Sequence, residues 1–201
     1  MNRLMIIGAG GHGKVVADNA LQNGYTNICF IDDGVTGECL GFPIIGGSAE
    51  IAKQNDGETD FIVGIGNSAI RKRIVEEHPV NWIKLIHPSA QIATNVSIGK
   101  GTVVMAGAVI NVCAQVGEHC IINSNAIVEH DNVIQDFVNI SPGAKLGGGV
   151  RIGELTNVGI GATVINNVDV TSGCVIGAGG VVIRNVVESG TYVGVPVRKM
   201  K

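Results

Sequence analysis

From Ile92 onward every sixth residue is aliphatic, through Ile98, Val104, Ile110, Val116, Ile122, Val128 and Ile134 to Val182, sixteen positions without an insertion. Four residues after each stands a small or β-branched side chain, such as Thr102, Ala108, Ala114, Cys120 or Ala126, and only Asn132 departs. Glycine recurs directly after the aliphatic position, at Gly99, Gly117, Gly147, Gly153, Gly159 and Gly177. Neither a helical period of 3.6 nor a strand period of 2 produces a strict six. Short strands joined by turns that need glycine do, when wound into a parallel β-helix whose coils stack about 4.8 Å apart. The interior would hold the aliphatic and small side chains.

The first part of the chain has a different pattern. Leu4–Ile7 predicts a short apolar strand, 14–23 a helix with Val15, Val16, Ala20 and Leu21 on one side, and Ile28–Ile31 a second strand ending in Asp32-Asp33. Phe42 to Gly46 reads as a turn and strand, 60–65 as another strand ending at Gly66-Asn67, and 69–77 as a short helix. The expected architecture is an α/β Rossmann-like βαβ domain over residues 1–85, then a β-helix over 86–201 capped by a loop and closing strand after Val187.

Composition agrees with a narrow solenoid. Hydrophobic residues make up 45%, aromatics only 3%, and there are 30 glycines, as a slim core full of turns requires. A net charge of -3 without a basic run speaks against nucleic acid. The apolar run Leu4–Ile7 is too short for a membrane span or signal peptide. The five cysteines show no CxxC spacing, and Cys120 and Cys174 fall at interior positions. A cytoplasmic protein without disulfides is therefore expected.

Two stretches carry candidate chemistry. Gly8, Gly10 and Gly13 form GxGxxG between strand and helix, with acids about 20 positions on. Such glycines let backbone N–H groups approach a phosphate at a helix N-terminus, and the carboxylates can accept from ribose or base donors. The competing reading is a tightly packed βαβ turn without a ligand. About 85 residues make only half a dinucleotide fold, so a mononucleotide-sized group fits better than NAD. His12 lies inside this loop, where it could touch substrate or cap the helix.

The second stretch is Glu129-His130-Asp131, which breaks the neutral habit of the hexads. If Val128 points inward, His130 lies outside the core at a corner, beside carboxylates that can fix its tautomer as a general base requires. An exposed turn histidine without chemistry is the plainer reading. Eighteen residues on from His130 is Gly148, inside Gly147-Gly148-Gly149, which leaves bare backbone and room for a ligand. His119 is expected as a solvated turn residue. A three-histidine zinc site is disfavoured because only His119 and His130 fall in the solenoid. A purely binding solenoid would leave the nucleotide domain unexplained.

Taken together, these motifs resemble the left-handed β-helix acyltransferases of the hexapeptide-repeat type. More narrowly they are similar to bacterial nucleotide-sugar N-acetyltransferases of the bacillosamine pathway and to sialic acid O-acetyltransferases. The residues that carry the likeness are Ile6 to Lys14, Phe30 to Asp33, Ile65-Gly66-Asn67, Leu85 to Ala90, Glu129-His130-Asp131 and Val193 to Pro196. The resemblance implies a homotrimer that binds acetyl-CoA between neighbouring β-helices and uses no metal. It implies that the N-terminal domain holds a UDP-sugar, with Gly10, Gly11 and His12 at the phosphates, Asp32 and Asp33 at the uridine, and Gly66 and Asn67 as further contacts. His130 matches the base and Asp131 the acid that orients it. Asn139 stands where relatives often carry a second histidine, and it and Gly148 are expected acetyl-CoA contacts. Direct transfer to a sugar 4-amino group is the expected reaction. Sugar O-acetylation, a non-catalytic solenoid, and an acyl-enzyme on Cys113 (one coil before Asp131) are the alternatives.

Overall fold

The computed structural model describes residues 2–200. The N-terminal domain is a five-stranded sheet in the order β3-β4-β2-β1-β5. Its elements are β1 (Leu4–Ile7), α1 (Gly11–Gln22), β2 (Ile28–Ile31), β3 (Gly37–Cys39), β4 (Phe42–Ile44), α2 (Glu50–Lys53), β5 (Asp60–Val63) and α3 (Ser68–Glu77). The central strands β2, β1 and β5 are parallel and buried at every residue, which is why they read as continuous apolar runs. β3 and β4 form an antiparallel hairpin at the edge. β5 stops at Val63 rather than reaching Ile65. α1 begins at Gly11, three residues before the expected start, so His12 sits in its first turn rather than in a free loop.

From Leu85–Ile86 the chain winds into a left-handed β-helix of two-residue strands. Coils advance by eighteen residues, as the pairing of Val109 with Ile127 and of Ile110 with Val128 shows. Three parallel faces result. The first includes Val103–Val104, Ile121–Ile122, Asn139–Ile140 and Asn157–Val158. The second includes Val109–Ile110, Ile127–Val128 and Lys145–Leu146, and the third Gln115–Val116, Val133–Ile134 and Arg151–Ile152. The core is the predicted sixfold series with its small partners, from Val104 to Val182; Ile92, on the first coil, remains partly exposed.

The glycines after the aliphatic position serve close approach between coils. A Cβ on Gly99 would lie 2.7 Å from Glu118 N, and one on Gly147 2.7 Å from Asn166 N. The left-handed corner residue comes two positions later, at Gly101, Gly107 and Gly149, but also at Asn95, Cys113, His119, Asn125 and Asp131. The departing Asn132 is fully buried, and its Oδ1 accepts from Val150 N at 2.7 Å. The cap is a hairpin, Gly190–Gly194 with Val197–Lys199, whose first strand still pairs in parallel with Cys174–Ile176.

α1 packs on the first face, where Val16, Ala17 and Ala20 share a cluster with Leu85, Val103, Met105 and Ile121. Asn23 Nδ2 donates to Ile86 O at 3.0 Å and Asn19 Nδ2 to Val104 O at 3.0 Å. Since Asn23 meets one coil and Asn19 the next, α1 runs against the stacking direction.

Candidate active site

From Ile92 to Ile176 each hexad places a left-handed residue three positions after its aliphatic one, and after Val128 that residue is Asp131, with φ 60°. Aspartate tolerates this region better than most residues. The corner brings Asp131 Oδ2 to 2.8 Å from His130 Nδ1. An imidazole that donates from Nδ1 carries its lone pair on Nε2. Both side chains are about half exposed or more, at 53% and 66%, so solvent reaches them. Glu129 does not join the pair. Its Oε2 accepts from Asn111 Nδ2 at 2.8 Å, along the column of coils.

The Nε2 edge of the ring lies over Gly148, and a Cβ there would stand 2.5 Å from His130 Cε1. Asn166 and Asn167 follow one coil beyond Gly148 and Gly149, where Asn167 Oδ1 would lie 2.5 Å from a Cβ on Gly149. Asn166, His130 and Asn167 therefore fill the space that the three glycines leave, and Gly148 is buried beneath the imidazole, so the expected room for a ligand over Gly148 is taken up by the histidine itself. Cys113, one coil before Asp131, is an exposed thiol.

Asn139 lies on the first face, half a coil from His130, so within one chain the solenoid separates the two. Its Oδ1 is buried without a hydrogen-bond partner. His12 Nε2 is likewise buried without a partner. Burial and, second, the Arg71 charge push the His12 imidazole down to about 4, so the ring is neutral at physiological pH.

In the glycine loop Gly10 and Gly11 have open space where a Cβ would stand, whereas a Cβ on Gly13 would overlap Gly8 O. The loop thus packs on itself at Gly13 and stays clear at Gly10 and Gly11. Asp32 Oδ2 accepts from Ala9 N at 2.8 Å, and Oδ1 from Gly34 N at 2.8 Å and Val35 N at 3.1 Å. Burial alone would raise this carboxyl, but the three N–H donors outweigh it and hold it below the usual range. Asp33 Oδ1 accepts from Ser48 N at 2.7 Å. Both acids therefore shape the loops around a cavity of ≈ 230 Å³ lined by Gly8, Asp32, Asp33, Ile65, Ile70 and Arg73. Asn67 caps α3 through Oδ1, which accepts from Ile70 N at 3.0 Å, leaving its Nδ2 as the free end.

One expectation fails outright. His119 is not solvated but completely buried, stacked on Phe137 at 5.3 Å and edge-on to Trp82 at 5.4 Å. The N-terminal domain lies over this corner, which a periodic reading of the solenoid alone treats as open. Arg71, from α3, is 1% exposed and reaches the same corner, donating from Nε to His119 O at 2.8 Å. Sequence reasoning passed over it; its spacing of three from Ile74 on the helix's buried side was the available signal. Among the described residues no three or more His, Cys, Asp or Glu side chains gather as metal ligands would, and no helix is long and apolar enough to cross a membrane.

Residues 3–78 match the family model described as the PglD N-terminal domain. The chain is 30% identical over 162 residues to a GDP-perosamine N-acetyltransferase from Escherichia coli O157:H7, spanning 76% of this chain and 73% of that protein. It is 37% identical over 119 residues to a UDP-N-acetylbacillosamine N-acetyltransferase from Bacillus subtilis (strain 168), spanning 53% of this chain and 52% of the other. Among solved structures it superposes on the acetyltransferase domain of PglB from Neisseria gonorrhoeae FA1090, in complex with acetyl coenzyme A, with a TM-score of 0.96. There 39% of residues are identical and 99% of each chain is covered.

Proposed function

The chain belongs to the hexapeptide-repeat nucleotide-sugar N-acetyltransferases, enzymes that use acetyl-CoA as co-substrate, and within that family we propose that it acetylates the 4-amino group of a UDP-linked 4-amino-4,6-dideoxy-N-acetylglucosamine by direct transfer. The observation that carries the catalytic part is the His130–Asp131 pair, 2.8 Å apart and facing the bare backbone of Gly148. His130 Nε2 takes a proton from the attacking amine as nitrogen bonds to the acetyl carbonyl carbon. It then returns that proton to the departing thiolate as the carbon–sulfur bond breaks. Asp131 holds the ring's tautomer and stabilises the transient imidazolium. The thioester of acetyl-CoA would meet His130 at its exposed side, and an amide donor at Asn139 would offset charge on the thioester oxygen, an effect worth about 3 kcal/mol.

Because Asn139 and His130 occupy different sides of one solenoid, a complete site joins two chains. That supports the homotrimer. Exposed aliphatic side chains at Ile160, Ile165, Ile183 and Val187 give such an assembly apolar surface to cover. The Gly10–Gly11 opening and the cavity beside Asp32 and Asp33 suit the diphosphate and nucleoside. The relatives' names include both GDP- and UDP-linked sugars, and the choice of UDP rests on the likeness of the motifs to the bacillosamine branch.

Thiol release from acetyl-CoA with UDP-linked and GDP-linked 4-amino sugars, and with free sialic acid, tests this reading. Release with the UDP sugar at the highest kcat/KM is expected. Preference for the GDP sugar would overturn the choice of nucleotide, and release with sialic acid alone would move the reaction to O-acetylation.

A further inference from the structure

Arg71 is buried to 1% exposure and uses all five of its N–H groups. Nε donates to His119 O at 2.8 Å, and Nη1 to Ile65 O at 2.9 Å and Gly66 O at 3.2 Å. Nη2 donates to Phe137 O at 3.0 Å and Ser68 Oγ at 3.3 Å. Every acceptor is neutral. Among the described residues no carboxylate forms an ion pair with this guanidinium, and burial draws it down only to about 10. It is a full positive charge left without a counterion, an expensive arrangement for a protein interior.

Its partners say what the charge faces. His119 and Phe137 are successive corners of the solenoid, eighteen residues apart, and the second leads in two residues to Asn139. Ile65 and Gly66 belong to the loop between β5 and α3, directly behind the glycine loop. Gly64 N donates to Ile7 O at 2.7 Å, a Cβ on Gly64 would lie 2.8 Å from Gly13 Cα, and one on Gly8 2.7 Å from Ile65 Cγ1. In a trans peptide the C=O and N–H point in opposite directions. The two carbonyls that accept from Arg71 therefore aim the N–H groups of Gly66 and Asn67 away from it. Neither N–H has an acceptor among the described residues. Arg71 also contributes to keeping His12 neutral, so its field reaches the glycine loop.

We propose that Arg71 is a positioning residue for the nucleotide-sugar site, seating the Ile65–Asn67 loop on two coils and, as an unneutralised cation, strengthening the Gly66 and Asn67 N–H groups as donors to the substrate's diphosphate. The inference rests on the nucleotide-sugar reading above. Its distinguishing consequence is a dependence on ligand charge. A purely structural arginine would, when removed, weaken a nucleoside and its diphosphate alike.

Calorimetric titration of the full chain with uridine and with UDP, in wild type, Arg71→Lys and Arg71→Met, tests it. For Arg71→Met, UDP affinity should fall about tenfold or more while uridine changes less than about threefold, since charge-assisted bonds are lost only for the charged ligand. Arg71→Lys, which keeps the charge but has three donors, should retain more UDP affinity than Arg71→Met. Equal loss for both ligands, or no loss for either, would overturn the proposal. Should Arg71→Met fail to fold, Arg71→Gln carries the same comparison. A wild-type protein that binds GDP and not UDP moves the comparison to guanosine and GDP. Wild type that binds neither diphosphate refutes the nucleotide-sugar reading and the inference with it.

Discussion

The imidazole of His130 rests against the backbone of Gly148, one coil further on, so closely that a Cβ on Gly148 would stand 2.5 Å from its Cε1. Gly148 has no positive φ that would require glycine; what requires it is the histidine. Gly148→Ala should therefore push the ring off its Asp131 bond and lower kcat about tenfold or more. The half-exposed ring can swing outward, so the melting temperature should change little. Paired kinetics and thermal unfolding would check both halves.

Asp131→Asn removes the carboxylate that selects the His130 tautomer while keeping a side chain that tolerates the left-handed corner. Turnover should fall about tenfold, with KM for acetyl-CoA nearly unchanged. A change in KM alone would assign Asp131 to binding instead.

The glycine loop predicts opposite results at neighbouring positions. Gly10→Ala and Gly11→Ala meet open space and should leave stability intact while raising KM for the nucleotide sugar. Gly13→Ala overlaps the carbonyl of Gly8 and should cost about 1–3 kcal/mol of folding stability. Denaturant unfolding beside nucleotide titration separates the two outcomes.

Stability should fall in mild acid. His12 and His119 are both held down to about 4, first by burial and then by Arg71, with Lys100 adding to the effect at His119. Between about pH 6.5 and 4 the unfolded chain binds a proton at each site that the folded chain does not. Their contribution is thus complete above pH 6.5 and is lost as pH falls toward 4. Urea unfolding across this window should show the slope. His119→Asn, which suits the left-handed corner, should remove about one proton of it.

The solenoid was legible because its period is a property of neighbours along the chain. Val128 pointing inward places His130 outside by counting alone, and eighteen more residues bring Gly148 beside it. What counting could not reveal is which outward positions another element covers. His119 occupies a corner equivalent to that of Asp131 in the repeat, yet α3 and Trp82 bury it. Arg71 escaped notice for the same reason: an arginine on a short helix reads as solvated until the coils it reaches are placed. The acids after β2 were found by motif, but their hydrogen bonds to Ala9, Gly34, Val35 and Ser48 depend on loop closure that no local pattern encodes.

The central claim is that His130 is the base for acetyl transfer to a nucleotide-linked amine. The direct measurement is the single-turnover rate of CoA release with saturating acetyl-CoA and the UDP-linked 4-amino sugar, for wild type and His130→Ala. The account predicts a fall of about 10²–10⁴ in rate, with nucleotide and acetyl-CoA affinities retained. Near-normal turnover in His130→Ala would contradict it and place the chemistry elsewhere on the solenoid.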